Sequence, residues 1–117
     1  MIKTMLQAKL HRVKLTQAVI DYEGSCGIDE DLLDASGILP NQYIEIYNIA
    51  NGARLSTYAI RAPRGSGEIS LNGAAARLGT VGDLLIICAY SSYDEAEVAR
   101  HRPVVVLVDE HNRPKNP

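Results

Sequence analysis

The 117-residue sequence has no tryptophan and no phenylalanine, and its aromatic residues are six tyrosines. A core must therefore be aliphatic, and a hydrophobic content of 46% supplies enough residues for close-packed, β-branched strands. An excess of one charge is also missing, since 12 Lys and Arg against 14 Asp and Glu leave a formal net charge of −2. Phosphate-backbone binding calls for clustered cations, so no nucleic acid partner is expected. No apolar run approaches the roughly 20 residues of a membrane span, and Met1 to Lys9 carries charges where a signal peptide needs an apolar core. A cytoplasmic protein with no membrane contact is expected. Two cysteines, Cys26 and Cys88, are too few for a disulfide framework or a zinc site and are expected reduced and buried. The phosphate loop ending in Gly-Lys-Ser/Thr, the paired-His metal spacing and the Gly-x-Ser-x-Gly elbow are absent too. No metal is expected, and the length suits one compact domain over residues 1–117.

What is present reads as strands. Met5 to Ile20 mixes short alternations suited to one or two strands. Asp29 can cap a short helix whose first turn is acidic and which Gly37 can close. Tyr43 to Ile49 alternates, meets Asn51-Gly52, and resumes from Leu55 to Ile60, the pattern of a two-residue β-hairpin. Ala62 to Gly67 reads as a loop, Glu68 to Asn72 as a short strand, and Ala74 to Leu78 as one or two helical turns ended by Gly79. The apolar segment Leu84 to Tyr90 suits a strand buried on both faces. Ser92 to Glu95 has capping-box spacing for a short helix, Pro103 precedes the strand-like run Val104 to Val108, and Glu110 to Pro117 reads as a frayed tail. An internal echo between Ala35–Ile46 and Arg77–Ile87 suggests two related strand–helix–strand halves interleaved in a closed barrel.

One dipeptide offers chemistry that no side chain supplies. A serine hydroxyl can attack a preceding glycine carbonyl when the chain is strained and the oxyanion stabilised, giving an ester. Elimination and hydrolysis then leave a pyruvoyl ketone at the new N-terminus. Gly24-Ser25 has this order, although Gly-Ser is equally an ordinary loop pair. Cys26 could act as a nucleophile only beside a base or helix N-terminus, and the sequence places neither there. The isolated His11, His101 and His111 read as structural or surface residues.

Four separated segments, Met5-Leu6-Gln7-Ala8-Lys9-Leu10-His11-Arg12, Tyr22-Glu23-Gly24-Ser25-Cys26, Asn51 to Tyr58 and Ser70 to Ala76, together resemble the bacterial aspartate 1-decarboxylases in the same order. The resemblance implies a mainly β fold, a six-stranded double-psi β-barrel with short helices, and a homotetramer. It also implies self-cleavage into residues 1–24 and 25–117 and decarboxylation of L-aspartate to β-alanine for pantothenate synthesis. Ser25 would become the pyruvoyl cofactor, forming a Schiff base with the substrate amine and serving as electron sink. Arg54, Lys9 and Thr57 would bind substrate, Thr57 would also stabilise the Gly24 carbonyl during cleavage, and Tyr58 would donate a proton. Asn72, Gly73, Ala74 and Ala75 would hold substrate at a strand-to-helix junction. Whether a maturation helper protein takes part stays open, and a non-enzymatic or inactive barrel of the same strand pattern is the rival reading.

Overall fold

A computed structural model describes residues 1–115. Eight strands form one hydrogen-bonded sheet in the order β2-β6-β3-β5-β4-β7-β1-β8. They are β1 (Lys3–Lys14), β2 (Gln17–Val19), β3 (Ser25–Asp29), β4 (Tyr43–Asn48), β5 (Arg54–Ala62), β6 (Ile69–Asn72), β7 (Leu84–Tyr93) and β8 (Val104–Leu107). Helix α1 (Glu30–Ser36), a 3-10 helix (Gly73–Leu78) and helix α2 (Glu95–Arg100) fill the connections. No helix among the described residues is long and apolar enough to cross a membrane. The core is aliphatic: Leu10, Leu15, Ile28, Leu32, Ile44, Ile46, Ile69, Leu71, Leu85 and Ile87 are fully buried.

Eight strands were found where six were expected, and the sheet has two ends, so the six-stranded closed barrel is not what the ladder records. Two local features account for the difference. The first strand is interrupted at Leu15-Thr16, so its continuation is the separate strand β2, and β8 adds a parallel edge strand along β1. The interleaving of halves is present in the pairing. β1 pairs with β7 and β2 with β6, whereas β5 pairs with β4 and β3. Strands β3 and β6 are mutually antiparallel, as are β4 and β7. The echoed segments thus occupy equivalent places, α1 between β3 and β4 and the 3-10 helix between β6 and β7.

Local chemistry explains most elements. Asp29 caps α1 by accepting from the Asp31 amide at 2.8 Å, and Gly37 closes it at φ 80°. β4 and β5 pair from Tyr43↔Tyr58 to Tyr47↔Arg54, but the connection is longer than two residues. Asn48 N–H bonds Ala53 O, leaving four residues in the loop, and Gly52 takes φ 74°. Asparagine side chains stabilise it: Asn48 Oδ1 accepts from Ala50 N–H and Asn51 Oδ1 from Ala53 N–H. Gly79 ends the 3-10 helix in an extended conformation (φ −152°), not a left-handed one. Space favours glycine here, since a Cβ would lie 2.9 Å from Leu15 Cδ2 and 3.0 Å from Leu71 Cδ1 and would displace these buried side chains.

Two further expectations are corrected. The capping box of α2 is Asp94 with Glu97, two residues beyond the Ser92–Glu95 pair, because β7 runs on through Tyr93. The tail is not frayed as far as Lys115. Asn112 is buried, donating to Lys14 O and Gly67 O and accepting from Lys14 N–H at 2.8 Å, and Val108 bridges to Pro114. Residues 116–117 of that expected tail lie outside the described residues.

Candidate active site

The Gly24-Ser25 bond lies where an exposed turn enters a buried strand. Gly24 is exposed, whereas Ser25 opens β3 with 1% of its surface accessible. Across the ladder Ser25 pairs with Asn72, and Asn72 Nδ2 donates to Ser25 Oγ at 2.9 Å. Asn72 stands at the N-cap of the 3-10 helix but makes no side-chain cap bond, and its Nδ2 donates to the serine instead. The oxygen that could attack Gly24 is thus held by a donor, with its lone pairs oriented and its own proton free to leave.

The strain expected at Gly24 sits on its neighbour. Gly24 has no left-handed φ and open space where a Cβ would sit, whereas Gly73 takes φ 65°. A Cβ at Gly73 would lie 2.9 Å from both Gly24 N and Tyr22 O. Backbone therefore packs on backbone beside the candidate scissile bond, which only glycine at position 73 allows. A cleft of about 320 Å³ borders this contact, lined by Gly24, Thr57, Ala74 and Ala75 among others. The small alanines leave room next to the Gly24 carbonyl.

Alternation along β5 divides its residues as the sequence suggested. Thr57 is half-buried and Tyr58 is exposed at 38%. Tyr58 lines an adjoining hollow of about 480 Å³ with Asn41 and Tyr43, and Ser56 and Thr57 form the wall common to both spaces. Gly24, Ser25, Thr57, Asn72, Gly73, Ala74 and Ala75 are therefore gathered in one neighbourhood, with Tyr58 next to it.

Arg54 and Lys9 belong to another part of the sheet. Arg54 lies over the Tyr47 ring, its guanidinium carbon 3.9 Å from the centroid, and the Tyr47 hydroxyl bonds that of Tyr90 at 2.9 Å. Tyr90 has its pKa raised, chiefly by this bond to Tyr47 and then by burial. Lys9 pairs with Cys88 across the ladder, and the fields of Lys9 and Arg54 both reach that thiol. The two cations thus share the Cys88 side of the β1–β7–β4–β5 region. Sequence reasoning missed the Tyr47–Tyr90 support of Arg54; the alternation of β4, which puts Tyr47 opposite Arg54, was the available signal.

Cys26 is fully buried, and burial followed by the Glu68 charge pushes its thiol up to about 12. It stays protonated, as the lack of a neighbouring base suggested. Both cysteines are free. No group of three or more His, Cys, Asp or Glu able to hold a metal occurs among the described residues.

Fold and site define a class: a small, mainly β domain whose candidate reactive centre is a peptide bond before a buried, hydrogen-bonded serine. Residues 1–115 match the model of the family described as aspartate decarboxylase. Proteins named aspartate 1-decarboxylase from Bordetella avium and Ralstonia pickettii are each 62% identical over 98% of this chain, covering 94% and 96% of those proteins. One from Syntrophobacter fumaroxidans is 57% identical over 97% of this chain and 92% of its own length. A solved structure of a rationally designed protein, mkDPBB_sym_86, gives a TM-score of 0.49 at 17% identity, covering 68% of this chain and 91% of that one. The chain belongs to the aspartate decarboxylase family.

Proposed function

We propose that this chain is a carboxy-lyase that converts L-aspartate to β-alanine and CO2, using a pyruvoyl group made from Ser25 when the chain cuts itself after Gly24. The observation that carries the reading is the buried Ser25 hydroxyl held by Asn72 at 2.9 Å beside a Gly24 backbone on which Gly73 packs. Family membership and the names of its relatives support the substrate. The residues fit the group: Ser25 supplies its carbon skeleton and water its ketone oxygen, and the Ala74 and Ala75 wall leaves space beside it.

Each residue then has work of its own. Ser25 Oγ attacks the Gly24 carbonyl carbon, and Thr57, in the wall of the same cleft, donates to the developing oxyanion. Elimination at Ser25 frees the Gly24 carboxylate, and hydrolysis of the resulting dehydroalanine releases ammonia. The pyruvoyl ketone supplies the electron sink for loss of CO2. Arg54, seated over the Tyr47 ring, binds a substrate carboxylate with its planar fork, and Lys9 adds charge. Tyr58 delivers a proton to the carbon that CO2 leaves. Asn72 and the Gly73–Ala75 backbone hold the substrate against the ketone. The β-alanine formed feeds pantothenate synthesis, a cytoplasmic role. Incubating matured protein with L-aspartate should yield equal amounts of β-alanine and CO2; absence of both sinks the proposal.

The sheet supports a six-stranded double-psi barrel when β1 and β2 are taken as one interrupted strand and β8 as an appended edge. Arg54 and Tyr58 both face outward, so a neighbouring copy is well placed to close the site, in keeping with a homotetramer. Light scattering should give about four times the 12.8 kDa chain mass. An active monomer at micromolar concentration would refute the shared site.

Replacing Arg54 by Lys keeps the charge but loses the fork and the guanidinium contact with the Tyr47 ring. kcat/KM for aspartate should fall roughly 10²-fold while cleavage of the chain continues. Unchanged kcat/KM would remove Arg54 from substrate binding.

A further inference from the structure

Asn72, which donates to Ser25, also borders a second and more polar cleft, apart from the alanine wall. Side chains alternate along a strand, so Ser25 shares a face with position 27 of β3, and Asn72 shares one with Ser70 of β6. The register Ser25↔Asn72 and Gly27↔Ser70 puts all four on the same face. The residue preceding that strand in the same alternation is Glu68. A Cβ at Gly27 would lie 2.3 Å from Ser70 Oγ and 2.9 Å from Glu68 Oε2. A hydroxyl and a carboxylate thus fill the volume that any larger residue at 27 would take.

These groups line a cleft of about 250 Å³ together with Gln17, Tyr22, Arg61 and Asn72. With its amide turned so that both ends are satisfied, Gln17 donates to both Glu68 oxygens at 3.1 Å. Ser70 Oγ is anchored by the Gly27 N–H at 3.2 Å. Asn72 is common to cleft and nucleophile, lining the one and donating to the other. Same-face positions along a strand are about 7 Å apart, so a carboxylate over Gly27 is about one water molecule away from Ser25.

A serine hydroxyl needs a base, because almost none of it is ionised near neutral pH. The alanine-walled cleft lacks one: its lining residues are Gly24, Leu55, Ser56, Thr57, Ala74, Ala75 and Leu78, none of them titratable. Of the groups on the other side, Arg61 is a cation, Tyr22 is exposed at 56%, and Cys26 is buried in the core. Glu68 is the one carboxylate there.

We propose that Glu68 is the proton acceptor for self-cleavage, drawing the Ser25 hydroxyl proton through one water held in this cleft. The inference rests on the reading that the chain cleaves itself at Gly24-Ser25. As Oγ bonds to the Gly24 carbonyl carbon, its proton passes to the water and a water proton passes to Glu68. When the C–N bond breaks, the proton returns by the same route to the Ser25 nitrogen. One proton moves from oxygen to nitrogen, and nothing is oxidised or reduced.

The test follows intact mass over time for the full chain and for Glu68→Gln, Glu68→Ala and Glu68→Asp, with thermal unfolding midpoints recorded for each. Cleavage should slow about 10²-fold in the Gln and Ala variants and less in Asp. Added acetate, small enough for the cleft, should accelerate the Ala variant and leave Gln unmoved, which a merely structural role would not produce. A Gln variant that cleaves at the unmutated rate, or an Ala variant that is folded, slow and deaf to acetate, overturns the proposal. An unmutated chain that stays whole overturns instead the self-cleavage reading on which it rests.

Discussion

Ser25→Ala should remain a single chain of 117 residues under conditions in which the unmutated protein yields fragments 1–24 and 25–117. The substitution removes one oxygen from a site where Asn72 Nδ2 holds it at 2.9 Å, and only a hydroxyl on residue 25 itself can give the ester whose elimination makes a ketone there. Cys26, the next residue, faces the core with a thiol that burial keeps protonated. The loss should therefore be complete, in cleavage and in decarboxylation together. Denaturing intact-mass spectrometry reads the first and β-alanine formation the second. The unmutated 25–117 fragment should also resist sequential N-terminal degradation, since a ketone replaces its amine. A Ser25→Ala chain that still splits after Gly24 would show that the serine oxygen is not the nucleophile.

Tyr58→Phe should separate maturation from turnover. The exposed hydroxyl lies in a hollow that shares Ser56 and Thr57 with the Gly24 cleft, so its loss leaves the Ser25–Asn72 bond untouched. Cleavage should proceed, while β-alanine production drops by about 10²–10⁴-fold, the range for loss of a positioned acid. Protonation at the wrong carbon then becomes competitive, transferring the substrate amine to position 25 and leaving alanine there. Mass spectrometry of the 25–117 fragment after incubation with aspartate detects that product. Turnover at the unmutated rate would reduce Tyr58 to a packing residue.

Local elements were legible in the sequence because their signals are local. Asp29 and Gly37 bracket α1 as capping chemistry requires, and alternation with Asn51-Gly52 marks the β4–β5 hairpin, although two asparagine side chains lengthen its loop to four residues. The capping box slipped by two residues because Ser92 and Tyr93 still belong to a ladder with β1, which no local spacing reveals. The tail was misread for a similar reason. Asn112 looks like an ordinary loop residue until Lys14 and Gly67, far away in sequence, supply its partners.

The candidate site was visible only in part for the same physical reason. Ser25 and Asn72 are 47 positions apart and meet through the β3–β6 pairing, so composition and spacing could name each but could not join them. Resemblance to a family joined them. It did not disclose Glu68, whose relation to Ser25 depends on an absent side chain at Gly27. Thr57 and Tyr58, by contrast, were correctly assigned to different faces from strand periodicity alone.

The place of β1 bears on what the proposed cut after Gly24 would do to the fold. β1 is sandwiched between β7 and β8, and Ala8, Leu10, Val13 and Leu15 of the same segment are fully buried. A fragment of residues 1–24 released by the proposed cleavage would thus stay locked into the sheet by its longest strand. Before cutting, unfolding is unimolecular and the chain carries its own partner for every strand. After the proposed cut the same fold would be a complex of two polypeptides, its re-formation second order and opposed by dilution. The mature protein should refold poorly from denaturant while the Ser25→Ala chain refolds well. Its durability is then set by how slowly β1 is extracted, a kinetic rather than an equilibrium property.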